Sequence, residues 1–169
     1  MNTREIFNTY LTYFDDADNG KVGKAAELTI RHLTSGKSQN RVKSQGKIDA
    51  YVTYKSEDGR KSVTLEIKTA CGDIATATRS QYIAYCPEVD ERISLENQFF
   101  VFTREQWTDF VEGYPGRGQF LRLDKAGRLH IQSFRSTSRP KASQPIADYV
   151  WETCYEMPTY AEWLNDLRG

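Results

Sequence analysis

Apolar positions recur every three or four residues in two stretches near the start of the chain. Over residues 3–14, Ile6, Tyr10 and Tyr13 or Phe14 share one side. Over Val22–Leu33, the stripe is Val22, Ala25, Ala26, Ile30 and Leu33. Both patterns predict amphipathic helices, and Ser35-Gly36 supplies a stop for the second. Between them, Asp15–Gly20 has the acid density of a calcium loop. The third position is Ala17, however, and the twelfth, where a bidentate Glu is required, is Ala26, so a polar turn is expected.

The period changes to two over Ile48–Tyr54 and again over Ser62–Lys68, which predicts two strands. Asp58-Gly59 between them is a type I′ hairpin signal. With those two residues as the loop, Tyr54 faces Val63, Val52 faces Leu65 and Ala50 faces Ile67 on an apolar side. Thr53 with Thr64, Tyr51 with Glu66, and Asp49 with Lys68 form the polar side. A slip of one residue would mix the two sides.

Further along, a helix is expected from about Ile74 to Cys86, with Asp73 as N-cap and Pro87 as stop. Gln98–Thr103 reads as a buried strand. Thr103-Arg-Glu-Gln106 is a capping-box sequence opening a helix to about Glu112. Phe120–Leu123 and Arg128–Phe134 make a second hairpin around Asp124–Gly127. Two short helices close the chain, the last opened by Thr159-Tyr-Ala-Glu162. Gly113–Gly118 contains G-x-x-G-x-G but precedes a strand, so it reads as a turn and not as a nucleotide loop.

Composition narrows the function classes. The 169 residues carry 23 Lys or Arg and 23 Asp or Glu, which argues against a protein that coats nucleic acid indiscriminately. That neutrality is a sum of opposite patches. Lys21–Lys47 holds seven basic residues and one acid, Glu27, whereas the stretch from Ala142 onward holds five acids against Arg168. No apolar run reaches the ~20 residues of a membrane span. Cys71, Cys86 and Cys154 include no C-x-x-C pair, so zinc is not expected. Their odd number, with no secretory leader, fits a reducing cytoplasm. His32 and His130 have no partner at ligand spacing and are expected to be structural, and Trp107, Trp151 and Trp163 to be core.

Chemistry concentrates on the polar side of the first hairpin. Glu66 and Lys68 are two apart on one strand, so their side chains project together about 7 Å apart at Cα. Asp49 is expected across from Lys68 and diagonal to Glu66. Two carboxylates so placed can share a divalent cation, and an adjacent lysine can hold an attacking water, a set suited to phosphodiester hydrolysis. The same residues also fit a plain cross-strand ion pair worth about 0.2–1 kcal/mol.

Lys47-Ile-Asp49-Ala-Tyr-Val followed by Leu65-Glu-Ile-Lys68, with Gly23-Lys-Ala-Ala-Glu27 on the preceding helix, resembles the PD-(D/E)XK nuclease superfamily. Ile48 stands where that signature has proline. The resemblance spans roughly Val22–Thr103 and implies an α+β, restriction-endonuclease-like αβββαβ core with a mixed central sheet flanked by helices. Its first strand would lie near Asn40–Ser44. Residues 1–21 would add an N-terminal helix and 104–169 a C-terminal hairpin and helices, all in one domain. The resemblance implies that Asp49, Glu66 and the Ile67 carbonyl hold Mg²⁺ or Mn²⁺, that Lys68 positions the water, and that Glu27 supports the metal. Gln81-Tyr-Ile-Ala-Tyr85 matches the Gln-x-x-x-Tyr motif of the RecB and lambda-exonuclease branch, which would put Gln81 and Tyr85 on one helix face as catalytic residues. Some members of that branch hold an iron–sulfur cluster on four cysteines; three here imply none.

The expected partner is DNA, with RNA open, and a homodimer is one expected assembly. Phosphate contacts are expected from Lys24, Arg31, Lys37, Arg41, Lys43, Lys47 and Arg79, and from a second cluster of Arg135, Arg139 and Lys141. Two further readings stand beside the nuclease. One is a catalytically silent nuclease-fold protein, such as a phage or mobile-element inhibitor or accessory subunit that binds nucleic acid or protein. The other is an unrelated α+β domain in which Glu-x-Lys is fortuitous.

Overall fold

A computed structural model describes residues 2–18, 20–38, 49–69, 79–87, 99–114, 119–123, 129–133 and 144–169. Among them the chain forms, in order, α1 (Thr3–Leu11), α2 (Lys21–Ser35), β1 (Ala50–Ser56), β2 (Gly59–Thr69), β3 (Tyr82–Cys86), β4 (Phe100–Thr103), α3 (Arg104–Gly113), β5 (Gln119–Leu123), β6 (Leu129–Ser133), α4 (Gln144–Glu156) and α5 (Tyr160–Arg168). The protein is therefore mixed α+β, with a four-stranded mixed sheet and a separate hairpin.

The two N-terminal helices form where periodicity puts them, with shifted ends. α1 stops at Leu11, short of Phe14, because Thr12 Oγ1 and the Thr12 N–H both turn back to the Thr9 carbonyl. Asn2 accepts from the Glu5 N–H at 2.9 Å and caps the other end. α2 runs one residue earlier and two later than Val22–Leu33, and closes on Gly36 at φ +69°, a conformation that favours glycine. Asp15 and Asp18 each accept from a backbone N–H two residues on, as expected of a polar turn.

Strand order in the main sheet is β1-β2-β3-β4, with β1–β2 and β3–β4 antiparallel and β2–β3 parallel. The hairpin register differs by two residues from the expected one. Ala50 pairs with Leu65, Val52 with Val63 and Tyr54 with Lys61, because Ser56 pairs with Gly59 and the turn is Glu57-Asp58. Gly59, at φ +110°, takes the first strand position after the turn, a conformation open to a residue without Cβ. An even shift preserves which side chains face the core, so the alternation stands while every partner changes.

A larger correction concerns Ile74–Cys86. Residues 82–86 are the strand β3, parallel to β2; Asp73 and Ile74 lie outside the described residues. Tyr-Ile-Ala-Tyr-Cys is apolar without alternation because β3 is buried on both faces, and a short run of that kind looks alike in strand and helix. β4 starts two residues later than Gln98, and both capping boxes form, Thr103 with Gln106 and Thr159 with Glu162. The second hairpin pairs Leu123 with Leu129, and Gln119 with Ser133. The strand expected near Asn40–Ser44 falls outside the described residues.

Two apolar layers sandwich the sheet. On one face, Ala50, Val52, Val63, Leu65, Ala84 and Val101 pack with α1, α2 and α5. On the other, Ile83, Tyr85, Phe100 and Phe102 pack with Trp107 and Phe110 of α3 and Val150 and Cys154 of α4. That second layer covers β3 and β4, while Tyr51, Thr53 and Ser62 on the same face of β1–β2 stay exposed. Trp107 and Trp163 are buried as expected; Trp151 is half-buried and stacks on Tyr155. His32 accepts or shares a proton with the Tyr10 hydroxyl at 2.8 Å, a structural role. No described helix is long and apolar enough to cross a membrane.

Candidate active site

Asp49 sits one residue before β1, and continuing the observed register sets it level with Glu66 instead of Lys68. Its Oδ2 accepts from the Ile67 N–H at 2.8 Å, so the carboxylate takes a place that a strand carbonyl would otherwise fill. The corrected register brings the two expected acids closer than the sequence alone suggested. It also places the Ile67 peptide directly against Asp49.

Glu27 reaches the same point from α2. The spacing 24, 27, 31 puts Lys24, Glu27 and Arg31 on one stripe of the helix, and the Arg31 guanidinium donates to the Asp49 carbonyl at 3.1 Å. Arg31 thus fixes the start of β1, a positioning role in addition to the phosphate contact expected of it. Glu27 hydrogen-bonds the Asp49 side chain, and its pKa is pushed up to about 7. Burial is the main cause; the Asp49 charge and the shared proton add to it, and Arg31 opposes it. Two carboxyl groups in contact cannot both ionise cheaply, so the pair keeps a proton well above the ordinary carboxylate range.

Glu66 and Lys68 project from the same side of β2, with Lys68 Nζ 3.4 Å from Glu66 Oε1. Their side chains are only 17% and 21% exposed respectively, so the pair is substantially desolvated. The other oxygen, Glu66 Oε2, is buried with no hydrogen-bond partner. An unmatched buried carboxylate oxygen is costly as it stands. The acids stand as two groups, Glu27 with Asp49 and Glu66 with Lys68. Among the described residues, no three acid, imidazole or thiol side chains are gathered at metal-ligating distance.

These donors nevertheless fit a hard divalent cation such as Mg²⁺ or Mn²⁺. They are all oxygens, one is orphaned, and two repel each other unless a proton or a cation lies between them. The set lacks the nitrogen and sulfur ligands that favour zinc.

Gln81 and Tyr85 do not join this site. They lie on or beside β3, four residues apart along an extended chain, about 13 Å. Tyr85 is fully buried, and its hydroxyl neighbours Cys154, Tyr114 and Cys86; burial foremost, with those neighbours, raises its pKa well above 10. Although Tyr85 is level with Lys68 in the β2–β3 register, its ring belongs to the aromatic cluster of Phe102, Trp107 and Phe110. Gln81 instead makes a reciprocal pair with Thr64: Thr64 N–H donates to Gln81 Oε1 at 3.1 Å, and Gln81 N–H to Thr64 Oγ1 at 2.9 Å. This pair and Arg104, which donates to the Ser80 and Arg79 carbonyls, anchor the entry to β3. Sequence reasoning missed that role because Gln81-x-x-x-Tyr85 has the same spacing whether the segment coils or extends.

Of the expected phosphate contacts, Lys24 is tied to Asp18 at 2.7 Å and lies over the Phe14 ring. Lys37 and Arg79 are exposed. Arg41, Lys43, Lys47, Arg135, Arg139 and Lys141 lie outside the described residues.

The raised Glu27 pKa carries a stability consequence. Between the unfolded value near 4.5 and the folded value near 7, the folded chain binds more protons than the unfolded one, so metal-free stability falls as pH rises through that window. After allowance for solvent screening at a half-buried group, the loss between pH 5 and 8 is expected to be about 1–2 kcal/mol. Urea unfolding in EDTA at both pH values measures it. The difference should shrink in Glu27→Gln; an equal slope in both proteins would rule out Glu27 as its source.

Comparison with protein-family models, curated proteins and solved structures finds no match.

Proposed function

We propose that this chain hydrolyses phosphodiester bonds in DNA, using Asp49, Glu66, Lys68 and Glu27. The observation that carries the reading is the meeting of the Glu27–Asp49 carboxyl pair with the Ile67 peptide, on β1–β2 where the register sets Asp49 level with Glu66 of the half-buried Glu66–Lys68 pair. A helix before a mixed sheet with β2 and β3 parallel supports the resembled core in outline, although no helix stands between those strands among the described residues.

Asp49, Glu66 and the Ile67 carbonyl would hold a Mg²⁺ or Mn²⁺ ion, and Glu27 would support it. Such an ion supplies positive charge to the phosphate oxygens as negative charge builds on them. Lys68 holds the attacking water by hydrogen bond and lowers the cost of its deprotonation through its own charge. For this, Lys68 must leave Glu66, which frees both Glu66 oxygens as ligands. Arg31 keeps the Asp49 backbone in place during the change. Half-burial of the group limits competing water and strengthens each charge interaction.

The Glu66–Lys68 ion pair also favours the silent reading, a nuclease-fold protein that binds without cutting. Cleavage of linear, branched and single-stranded DNA with Mg²⁺ or Mn²⁺, paired with Mn²⁺ titration calorimetry, separates the two. The nuclease reading expects cleavage that EDTA abolishes and a Mn²⁺ binding heat that Asp49→Asn removes. No binding heat and no cleavage on any of the three substrates would overturn it.

A further inference from the structure

The expected phosphate contacts run from Lys24 to Lys47, with Arg79 and the 135–141 cluster, and omit the far half of the first hairpin. There, Thr53, Tyr54, Lys55, Arg60 and Arg168 line an open cavity of about 400 Å³. Three of the five are cations and none is an acid. Lys55 and Arg60 are cross-strand partners, and like charges directly opposite on a sheet oppose each other. Arg168 comes from the last turn of α5, where a base also suits the helix dipole. That bland account explains Arg168 alone and not its meeting with the other two.

The ion pairs among the described residues make the contrast plain. Lys21, Lys24, Lys61 and Lys68 each have a carboxylate within 4 Å, while Lys55, Arg60 and Arg168 have none among the described residues. In sequence, Arg168 belongs to the acidic end of the chain. Folding turns it to the basic hairpin instead. Three unneutralised cations around one cavity form a site for a polyanion.

Placement says which polyanion. Thr53 and Lys55 follow Asp49 on one strand at even spacing, so all three lie on the same side of the sheet, while Tyr54 and α5, which carries Arg168, lie on the other side of the edge strand β1. Thr53 and Lys55 are about 13 and 20 Å from Asp49 along β1. One strand of duplex DNA advances about 3.4 Å per phosphate, so this interval matches roughly four to six base pairs.

We propose that the Thr53–Arg60–Arg168 pocket anchors the phosphate backbone of duplex DNA, about four to six base pairs from the bond held at Asp49. The choice of duplex DNA and the distance clause rest on the nuclease reading; the cluster of cations around the pocket does not.

The test is fluorescence anisotropy with a duplex of about 20 base pairs, in EDTA, across a salt series. The triple variant Lys55→Ala/Arg60→Ala/Arg168→Ala is compared with wild type and with Lys61→Ala, whose lysine is paired with Asp58. All three pocket cations are exposed, so their removal leaves the core intact, and thermal melts verify this. In the triple variant, the slope of log K against log salt is expected to fall by about two to three, with affinity near 0.1 M salt down by at least roughly tenfold. Lys61→Ala should shift it by no more than about one. An unchanged slope in the triple variant, or no duplex binding by wild type, would overturn the pocket. Cation-dependent binding without metal-dependent cleavage keeps the pocket and removes the nuclease reading. Metal-dependent cleavage with cation-independent binding does the reverse.

Discussion

Lys68→Ala is expected to slow metal-dependent DNA cleavage by about 10²–10⁴-fold, the span of losing one positioned acid–base group. Single-turnover rates at saturating protein and Mg²⁺ isolate the chemical step from binding. The substitution also leaves Glu66 with both oxygens short of partners, since Oε2 has none already and Oε1 has Lys68 at 3.4 Å. A drop in activity alone would therefore be ambiguous. Lys68→Arg resolves this, because it returns a positive charge to Glu66 and should restore most of the stability. Its planar fork cannot present a single rotatable donor to a water in the same way. The expected outcome is a melting temperature near wild type with a rate still at least about tenfold down. If Lys68→Ala cleaves within about twofold of wild type, Lys68 has no part in the chemistry.

What the sequence could reveal follows from which forces are local. Helix periodicity, the capping boxes at Thr103 and Thr159, and the alternation of β1 and β2 are encoded in neighbouring residues, and all appear in the fold. The hairpin turn is a weaker signal. Asp58-Gly59 suits a type I′ loop, but Gly59 also tolerates φ +110° just after a Glu57-Asp58 turn. The two choices differ by an even shift that leaves every apolar side chain on the same face, so burial does not discriminate between them. What marks the register adopted are contacts such as Asp49 with Ile67, 18 residues away, and the Thr53–Ser62 hydroxyl pair.

β3 is hard to recognise from sequence for a different reason. Its identity depends on Ala84 and Cys86 packing into the layer of α1, α2 and α5 on one face and on Ile83 and Tyr85 packing with Trp107 and Phe110 on the other, and none of that coverage is local. Propensity and spacing within Gln81–Cys86 are silent on it. Glu27 was legible as a candidate only through the resemblance, as the acid in Gly23-Lys-Ala-Ala-Glu27 on the helix before Asp49. Its contact with Asp49 was not, since it depends on how α2 crosses the start of β1. The cations of the hairpin pocket are not legible as a cluster, because two of them lie in a turn-flanking segment and the third in an acidic stretch.

Asp49→Asn provides the sharpest separation between a functional and a structural role for the acid pair. Asparagine keeps a side-chain oxygen to accept from the Ile67 N–H, and the backbone carbonyl that receives Arg31 is untouched. What it removes is one negative charge beside Glu27. Above pH 7, wild-type Glu27 is mostly ionised against Asp49, so the variant relieves repulsion and should be more stable without metal by about 1 kcal/mol. At pH 5.5, Glu27 is protonated and already bonds Asp49, so that gain should vanish. Metal-dependent cleavage, in contrast, should fall by about 10³–10⁴-fold, because a neutral amide is a poor ligand for a hard cation. A residue held for packing alone gives the opposite pair of results: lower stability at pH 8 and little change in rate. Urea unfolding in EDTA at the two pH values and single-turnover cleavage measure both. Loss of stability at pH 8, or cleavage within about tenfold of wild type, would remove Asp49 from the centre of the site. A variant that is sturdier and inactive identifies a carboxylate kept at a cost to the fold for the charge it brings to the substrate.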